Sequence, residues 1–313
     1  MSVNIAGLSD LEAFCHLVEA KTYPDNPVTG LSGASRQRML LKKYREDWEQ
    51  TVSSPKVSIL LGEHGFVVAL LQEKDSLTGH RQTVIWDWGG EPSAWLGTLE
   101  DQACNQGSEY LVLRVHPGPV NAFQNLGFLP ELTRVSKKVE PQSYAGPFGL
   151  RRATAADLLF IASLNSQGMA FYLPANRGLD PVEMASRNTT HYLGLDLGEG
   201  SDMLGLLISE GRRPFGYILL KLGLRVEYTD ESAAYLYDLN LRPEYWGKGA
   251  GRILGNYTQT ELRNRDCEYL LGDISCANPR TLQVATAAIG FQPEWERWGK
   301  KLDSGRTYQD ESD

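Results

Sequence analysis

Two segments of this 313-residue chain repeat each other 163 positions apart, and this repeat constrains the fold more than any single motif does. Residues 127–140 read GFLPELTRVSKKVE and residues 290–303 read GFQPEWERWGKKLD, with seven of fourteen positions identical and no gap. A long-period duplication accounts for one ungapped diagonal, and each copy would take about half the chain. The copies open alike. Ser9-x-x-Glu12 precedes a stretch with Leu11, Phe14, Leu17 and Val18 on one helical face, and Thr154-x-x-Asp157 precedes Leu158, Ile161 and Leu164. Both read as capping-box helix starts. Between them, residues 140–149 hold two prolines and two glycines, the composition of a linker. A boundary near 146 gives copies 1–146 and 147–313, each long enough to bury a core.

Within the second copy, apolar alternation predicts strands at 191–197, 202–209, 214–223 and 233–241. A helix at 249–263, a strand at 269–275, a helix at 279–289 and a strand at 295–302 follow. That order is an α/β fold with a mixed sheet flanked by helices, twice over. In the first copy the strand at 82–88 is followed by Gly89-Gly-Glu-Pro-Ser-Ala94. The basic run 36–45 has Met39, Leu40, Tyr44 and Trp48 at the spacing of one buried helical face, with solvated cations opposite.

A net charge of −8 argues against a general nucleic-acid binder. No apolar run reaches the ~18–20 residues that span a bilayer, and the N-terminus lacks a signal-peptide pattern, so a cytoplasmic protein is expected. Cys15, Cys104, Cys267 and Cys276 are scattered, and the five histidines show no paired spacing. Neither a disulfide framework nor a metal site is expected.

The most informative stretch is 236–254. A strand ends at Leu241, Pro243 cannot extend a ladder, and Gly247, Gly249 and Gly251 precede a helix. Successive glycines let backbone N–H groups converge, and the helix N-terminus adds partial positive charge, a cradle for a pyrophosphate. Lys248 and Arg252 add cations. A tight packing turn is the plainer reading of glycines alone. A dinucleotide fingerprint would follow the first strand of a βαβ unit, and no Walker lysine–serine pair occurs.

The stretch 238–251, DLNLRPEYWGKGAG, resembles the acyl-CoA signature of the GNAT superfamily of N-acyltransferases. Asn278-Pro-Arg-Thr with Ile289-Gly-Phe291 is similar to that family's closing element, and 150–157, LRRATAAD, to its opening. The first copy keeps Gly127-Phe128 and Val115-His116-Pro117, so the whole chain resembles a tandem GNAT protein. Trp246 stands where the family's loop begins with Gln or Arg, and Thr286 where a tyrosine acid is frequent. Without a glycine loop, and with Glu91 facing a phosphate, the first copy is expected not to hold CoA.

The resemblance implies acetyl-CoA as co-substrate, with backbone N–H groups of Leu239, Asn240 and Leu241 on the thioester carbonyl and pantetheine. It places Gly247, Lys248, Gly249, Ala250, Gly251 and Arg252 on the pyrophosphate and Asn278 on the pantetheine arm. Polarisation by fixed donors is the largest catalytic contribution such a site makes. Asp273 is expected as general base toward a small-molecule or peptide amine, its plainer role being a strand-end cap. Tyr237 is a candidate acid for the leaving thiolate, and Tyr235 and Tyr237 otherwise wall the acceptor pocket. Alternation puts both tyrosines on the face of Leu239 and Leu241, with Asp238 opposite and structural. An N-acetyltransferase active in the second copy is therefore expected. The alternatives are a non-catalytic acyl-CoA sensor and an aminoacyl-tRNA-dependent transferase, the latter disfavoured by the intact loop and acidic charge.

Overall fold

The computed structural model describes residues 3–75, 77–116, 120–140, 142–143, 146–227 and 229–303. Pro117 and the linker residues Pro141, Tyr144 and Ala145 lie outside them. The first copy runs β1 (Asn4–Ile5), α1 (Leu11–Ala20), α2 (Gly33–Ser53), β2 (Val57–Gly62), β3 (Gly65–Lys74), β4 (Arg81–Gly89), α3 (Leu96–Asn105), β5 (Tyr110–Val115), α4 (Val120–Asn125) and β6 (Leu129–Lys138). The second repeats that order as β7 (Gly149–Arg152), α5 (Leu158–Gly168), α6 (Pro181–Leu193), β8 (Met203–Glu210), β9 (Arg213–Arg225), β10 (Ser232–Leu241), α7 (Ala250–Arg263), β11 (Tyr269–Ser275), α8 (Pro279–Val284) and β12 (Gln292–Lys301). The fold is mixed α/β, and β6 and β12 keep the 163-residue offset at both ends.

Local chemistry explains the starts. Thr154 and Asp157 form the expected capping box, the Thr154 N–H donating to Asp157 at 2.9 Å, and Arg151 clamps the same carboxylate. In the first copy Gly7, not Ser9, takes this place, its N–H donating to Asp10 at 2.7 Å. In α2, Leu40, Leu41, Tyr44 and Trp48 are buried as a helical stripe, but Met39 lies outside it and is 41% exposed. Residues 191–197 are not a strand. Asp180 caps and Pro181 opens α6, which continues through His191 and Tyr192, so the alternation of HYLGLDL is coincidental.

The compact units do not follow the boundary near 146. One comprises residues up to 131 together with those from 295 on, and the other comprises 132–294. In the first the strand order is β1-β2-β3-β4-β5-β12, and in the second β6-β11-β10-β9-β8-β7. Only β4–β5 and β10–β11 are parallel in these orders. The closing strand of each copy therefore pairs in the unit built from the other: β12 antiparallel to β5, and β6 antiparallel to β11. Fully buried Val135 of β6 joins the second core with Leu254, Leu262 and Ile274, and Trp298 of β12 joins the first with Leu99 and Leu113.

None of the four cysteines is joined in a disulfide. Among the described residues, no cluster of three or more His, Cys, Asp or Glu side chains could hold a metal, and no helix is long and apolar enough to cross a membrane.

Candidate active site

Strands β10 and β11 pair only from Ala233↔Tyr269 to Leu236↔Gly272, then part. A register shift against β9 falls between Leu236 and Asp238, which makes Tyr237 the extra residue of a bulge. The bulge breaks two-residue alternation and takes Tyr237 off the face of Leu239 and Leu241, while Asp238 stays opposite those leucines as expected. Tyr237 meets His191 and Tyr192 of α6, and Asp238 also meets Tyr192, so these neighbours share the α5/α6 face. Leu239 and Leu241 instead pack into the α7-side core.

Asp238 is 3% exposed and collects hydroxyls from Tyr172 (2.5 Å), Tyr192 (2.8 Å) and Tyr217, plus the Asn165 amide at 3.0 Å. Burial first, and the carboxylate second, raise the pKa of all three phenols above the ordinary tyrosine value, which keeps them protonated donors. Asp87 repeats the device in the first unit with Tyr23 (2.8 Å), Tyr44 (3.3 Å) and the Lys21 ammonium (2.5 Å). Asp238 ties α5, α6 and the turn ending at Tyr172 to its bulged strand, the structural role foreseen for it, and Asp87 ties α2 and the segment that follows α1 to a strand bulged in the same way.

Beyond Leu241 a short turn (Pro243–Tyr245) leads to Gly247 and Gly249, both left-handed at φ +75° and +78°. Glycine, without a Cβ, adopts this conformation freely. Gly249 is the N-cap of the 14-residue α7, no side chain caps it, and nothing lies within 4 Å of where a Cβ would stand at either glycine. The first N–H groups of α7 thus receive no side-chain cap and carry the positive end of the helix dipole. Gly251 is different: it lies inside α7, packed near Leu241.

Backbone direction corrects one of the expected donors. The Arg242 N–H donates to Phe215 of β9, so Asn240, two residues earlier, also aims its N–H at β9. Its side chain donates to the Leu164 carbonyl. The carbonyls of Leu239 and Leu241 are instead reached by Tyr172 Oη (3.3 Å) and Trp246 Nε1 (2.8 Å), so the backbones of these two residues face away from β9, into the gap. Asn278 caps α8, its side chain accepting the Thr281 N–H at 3.1 Å. Thr286 donates back to Leu282.

Asp273, expected as the base, is held on both oxygens. Arg134 of β6 donates to Oδ1 at 2.5 Å and to Oδ2 at 3.1 Å, and Tyr235 Oη adds 3.0 Å to Oδ2. Proton abstraction there would compete with a guanidinium. Asp273→Asn is expected to lower stability by about 1–3 kcal/mol, between exposed and buried pairs, since both partners are about one-fifth exposed. Its effect on kcat/KM should stay below about tenfold, short of removing a base. Thermal unfolding with steady-state kinetics checks both.

Residues 174–291 match the family model described as the acetyltransferase (GNAT) family. The chain carries a GNAT-family domain. No protein of curated function matches the sequence. Among solved structures, a GCN5-related N-acetyltransferase from Sphaerobacter thermophilus is similar at 11% identity, covering 96% of this chain and 95% of that one, TM-score 0.53. A functionally unknown conserved protein from Staphylococcus epidermidis is similar at 13% identity, covering 80% and 93%, TM-score 0.52. A tandem GNAT protein from the clavulanic acid biosynthesis pathway aligns at 12% identity, covering 96% and 99%, TM-score 0.47. The GNAT fold supports acyl-CoA-dependent N-acyl transfer in general terms.

The first unit carries aromatic rings at places that correspond to the glycine loop and to Thr286 of the second. Trp95 is the N-cap of α3, the place Gly249 holds before α7. Phe123 lies 163 residues before Thr286, and Trp88 follows Asp87 as Leu239 follows Asp238. Trp95 and Phe123 are each 1% exposed, and Trp88 packs on both, 6.4 Å from Trp95 and 4.8 Å edge-on to Phe123. Sequence reading noted the missing glycines but not these rings. The signal was there in the aromatic replacements at aligned positions.

Proposed function

We propose that the second unit transfers an acetyl group from acetyl-CoA to a primary amine by direct attack in a ternary complex. The observation that carries this reading is the uncapped start of α7, with two left-handed glycines opening onto free space where β10 and β11 part. Backbone N–H groups from Gly247 to Arg252 would hold the pyrophosphate, assisted by Lys248 and Arg252. Leu239 and Leu241 would donate to the thioester carbonyl and the pantetheine amides, a preorganised oxyanion-type arrangement. Asn278 would meet the pantetheine arm with its amide nitrogen. Tyr237 on the α5/α6 face would meet the acceptor amine.

A second reading, an acyl-CoA-binding sensor without turnover, draws on Thr286, whose hydroxyl is turned back into its own helix. Free-thiol release from acetyl-CoA with a panel of primary amines separates the two. Calorimetric titration with CoA should give one site per chain, because Trp88, Trp95 and Phe123 fill the corresponding region of the first unit. Two equivalent sites would overturn the assignment to the second unit.

A further inference from the structure

We infer that His191 and Tyr237 form one proton-transfer couple for the acceptor amine, Tyr237 Oη touching the amine and His191 Nε2 receiving the proton through it. The inference rests on the acetyl-transfer reading above. His191 Nε2 lies 2.6 Å from Tyr237 Oη. Tyr237 is the bulged residue, the first beyond the last β10–β11 pair, beside the strand edge that faces the gap.

The duplication supplies an internal control. Tyr192 of α6 donates to Asp238, and Tyr44 of α2 donates to Asp87, so the helix-to-strand tie is kept in both units. The residue before each tyrosine and the residue before each aspartate differ. The second unit has His191 and Tyr237 there, whereas the first has Lys43 and Trp86. At these two positions, a pair able to pass a proton occurs in the unit that keeps the glycine loop and not in the other. Packing does not demand it, because the first unit holds its own helix without one.

Protonation states fit the direction of transfer. Burial, then the Asp238 charge, raises the pKa of Tyr237 above the ordinary phenol value, so its phenol stays protonated and donates. His191 Nε2 is then the acceptor, which requires the ring proton on Nδ1. His191 itself is exposed, so a proton it receives can reach water. Arg187 and Glu183 are the charged groups on its own helix near it, and β10 presents Tyr237 and Asp238. Among the elements packed on α6, α5 has no charged residue and the 169–172 turn brings only the Tyr172 phenol.

The step balances as follows. The ammonium N–H bond breaks as a Tyr237 O–H bond forms, the original Tyr237 O–H breaks, and His191 Nε2–H forms. The free amine attacks the thioester carbonyl, the C–S bond breaks, and the second amine proton leaves with the thiolate. Imidazolium His191 then releases its proton to solvent.

The test uses the full-length protein. In ¹⁵N histidine side-chain spectra, the signal lost in His191→Gln should report a neutral ring protonated at Nδ1, with a titration midpoint that moves in Tyr237→Phe. With acetyl-CoA and the amine panel, His191→Gln should lower kcat/KM by about 10²–10⁴-fold at neutral pH, recover as pH rises, and leave CoA affinity unchanged. An Nε2-protonated ring, a midpoint indifferent to Tyr237→Phe, or turnover whose pH profile is unaltered in His191→Gln overturns the couple alone. No thiol release by the wild-type protein with any amine overturns the acetyl-transfer reading, and the couple's role with it.

Discussion

Gly249→Val should reduce CoA affinity by at least about 100-fold while leaving the protein folded, through a conformation that glycine holds freely and a β-branched residue holds only under strain. At φ +78° a valine meets its own backbone, and a β-branched side chain is the least tolerant of that region. If the backbone rotates to relieve the strain, the N–H groups that open α7 are re-aimed. If it does not, an isopropyl group stands where an anion would sit. Either outcome removes the cradle. Folding should survive, because nothing lies within 4 Å of the new Cβ and the strain costs about 1–3 kcal/mol. Gly249→Asn separates the two causes, since asparagine accepts left-handed φ yet fills space. Equal loss in both variants points to occlusion, and loss in valine alone to strain. CoA affinity unchanged in Gly249→Val, with a normal circular dichroism spectrum, would refute the cradle.

What the sequence carried and what it hid divide along physical lines. The strand at 269–275 and the helix over 249–263 are legible because local periodicity and Pro or Gly punctuation set their ends. The repeat foretells β6 and β12 as equivalent segments, although the strand expected at 295–302 begins three residues earlier, at Gln292. It is silent on which neighbour each joins, because both closing strands carry the same pattern and either β5 or β11 offers an antiparallel edge. The facing of Tyr237 differs from the expectation because it is the inserted residue that shifts the two-residue period: it joins Asp238 rather than Leu239 and Leu241, and a bulge leaves little trace in composition. Asp273 as a base came from its place in the strand. Its Arg134 partner lies 139 residues away on a strand assigned by sequence to the other copy. His191 was read in a strand, although Asp180-Pro181 marks a helix start ten residues earlier. Its pairing with Tyr237 spans 46 residues and has no local signature.

The strand exchange makes a second large effect: the cut that the linker suggests should destroy the domain it is meant to isolate. A fragment of residues 147–313 lacks β6, and with it the seven-residue ladder from Lys138↔Tyr269 to Leu132↔Ser275. It loses fully buried Val135, the Arg134–Asp273 ion pair, the Ser136 hydroxyl on Glu294 and the Lys137 ammonium on the Ile289 carbonyl. Opening a core position and breaking a half-buried pair already cost several kcal/mol together, comparable with the ~5–15 kcal/mol that holds a domain folded. The β11 edge would also be bared, a template for aggregation. A fragment of residues 129–294 keeps β6 through β11, the glycine loop, Asp238 and its tyrosines, and every hydrogen bond named for the site. It should unfold cooperatively and bind CoA, whereas 147–313 should do neither. Denaturant unfolding and calorimetric titration of the two fragments decide the matter. Cooperative unfolding of 147–313 with full CoA affinity would mean that β6 is dispensable and that the second copy closes its own sheet, with β12 taking the place beside β11.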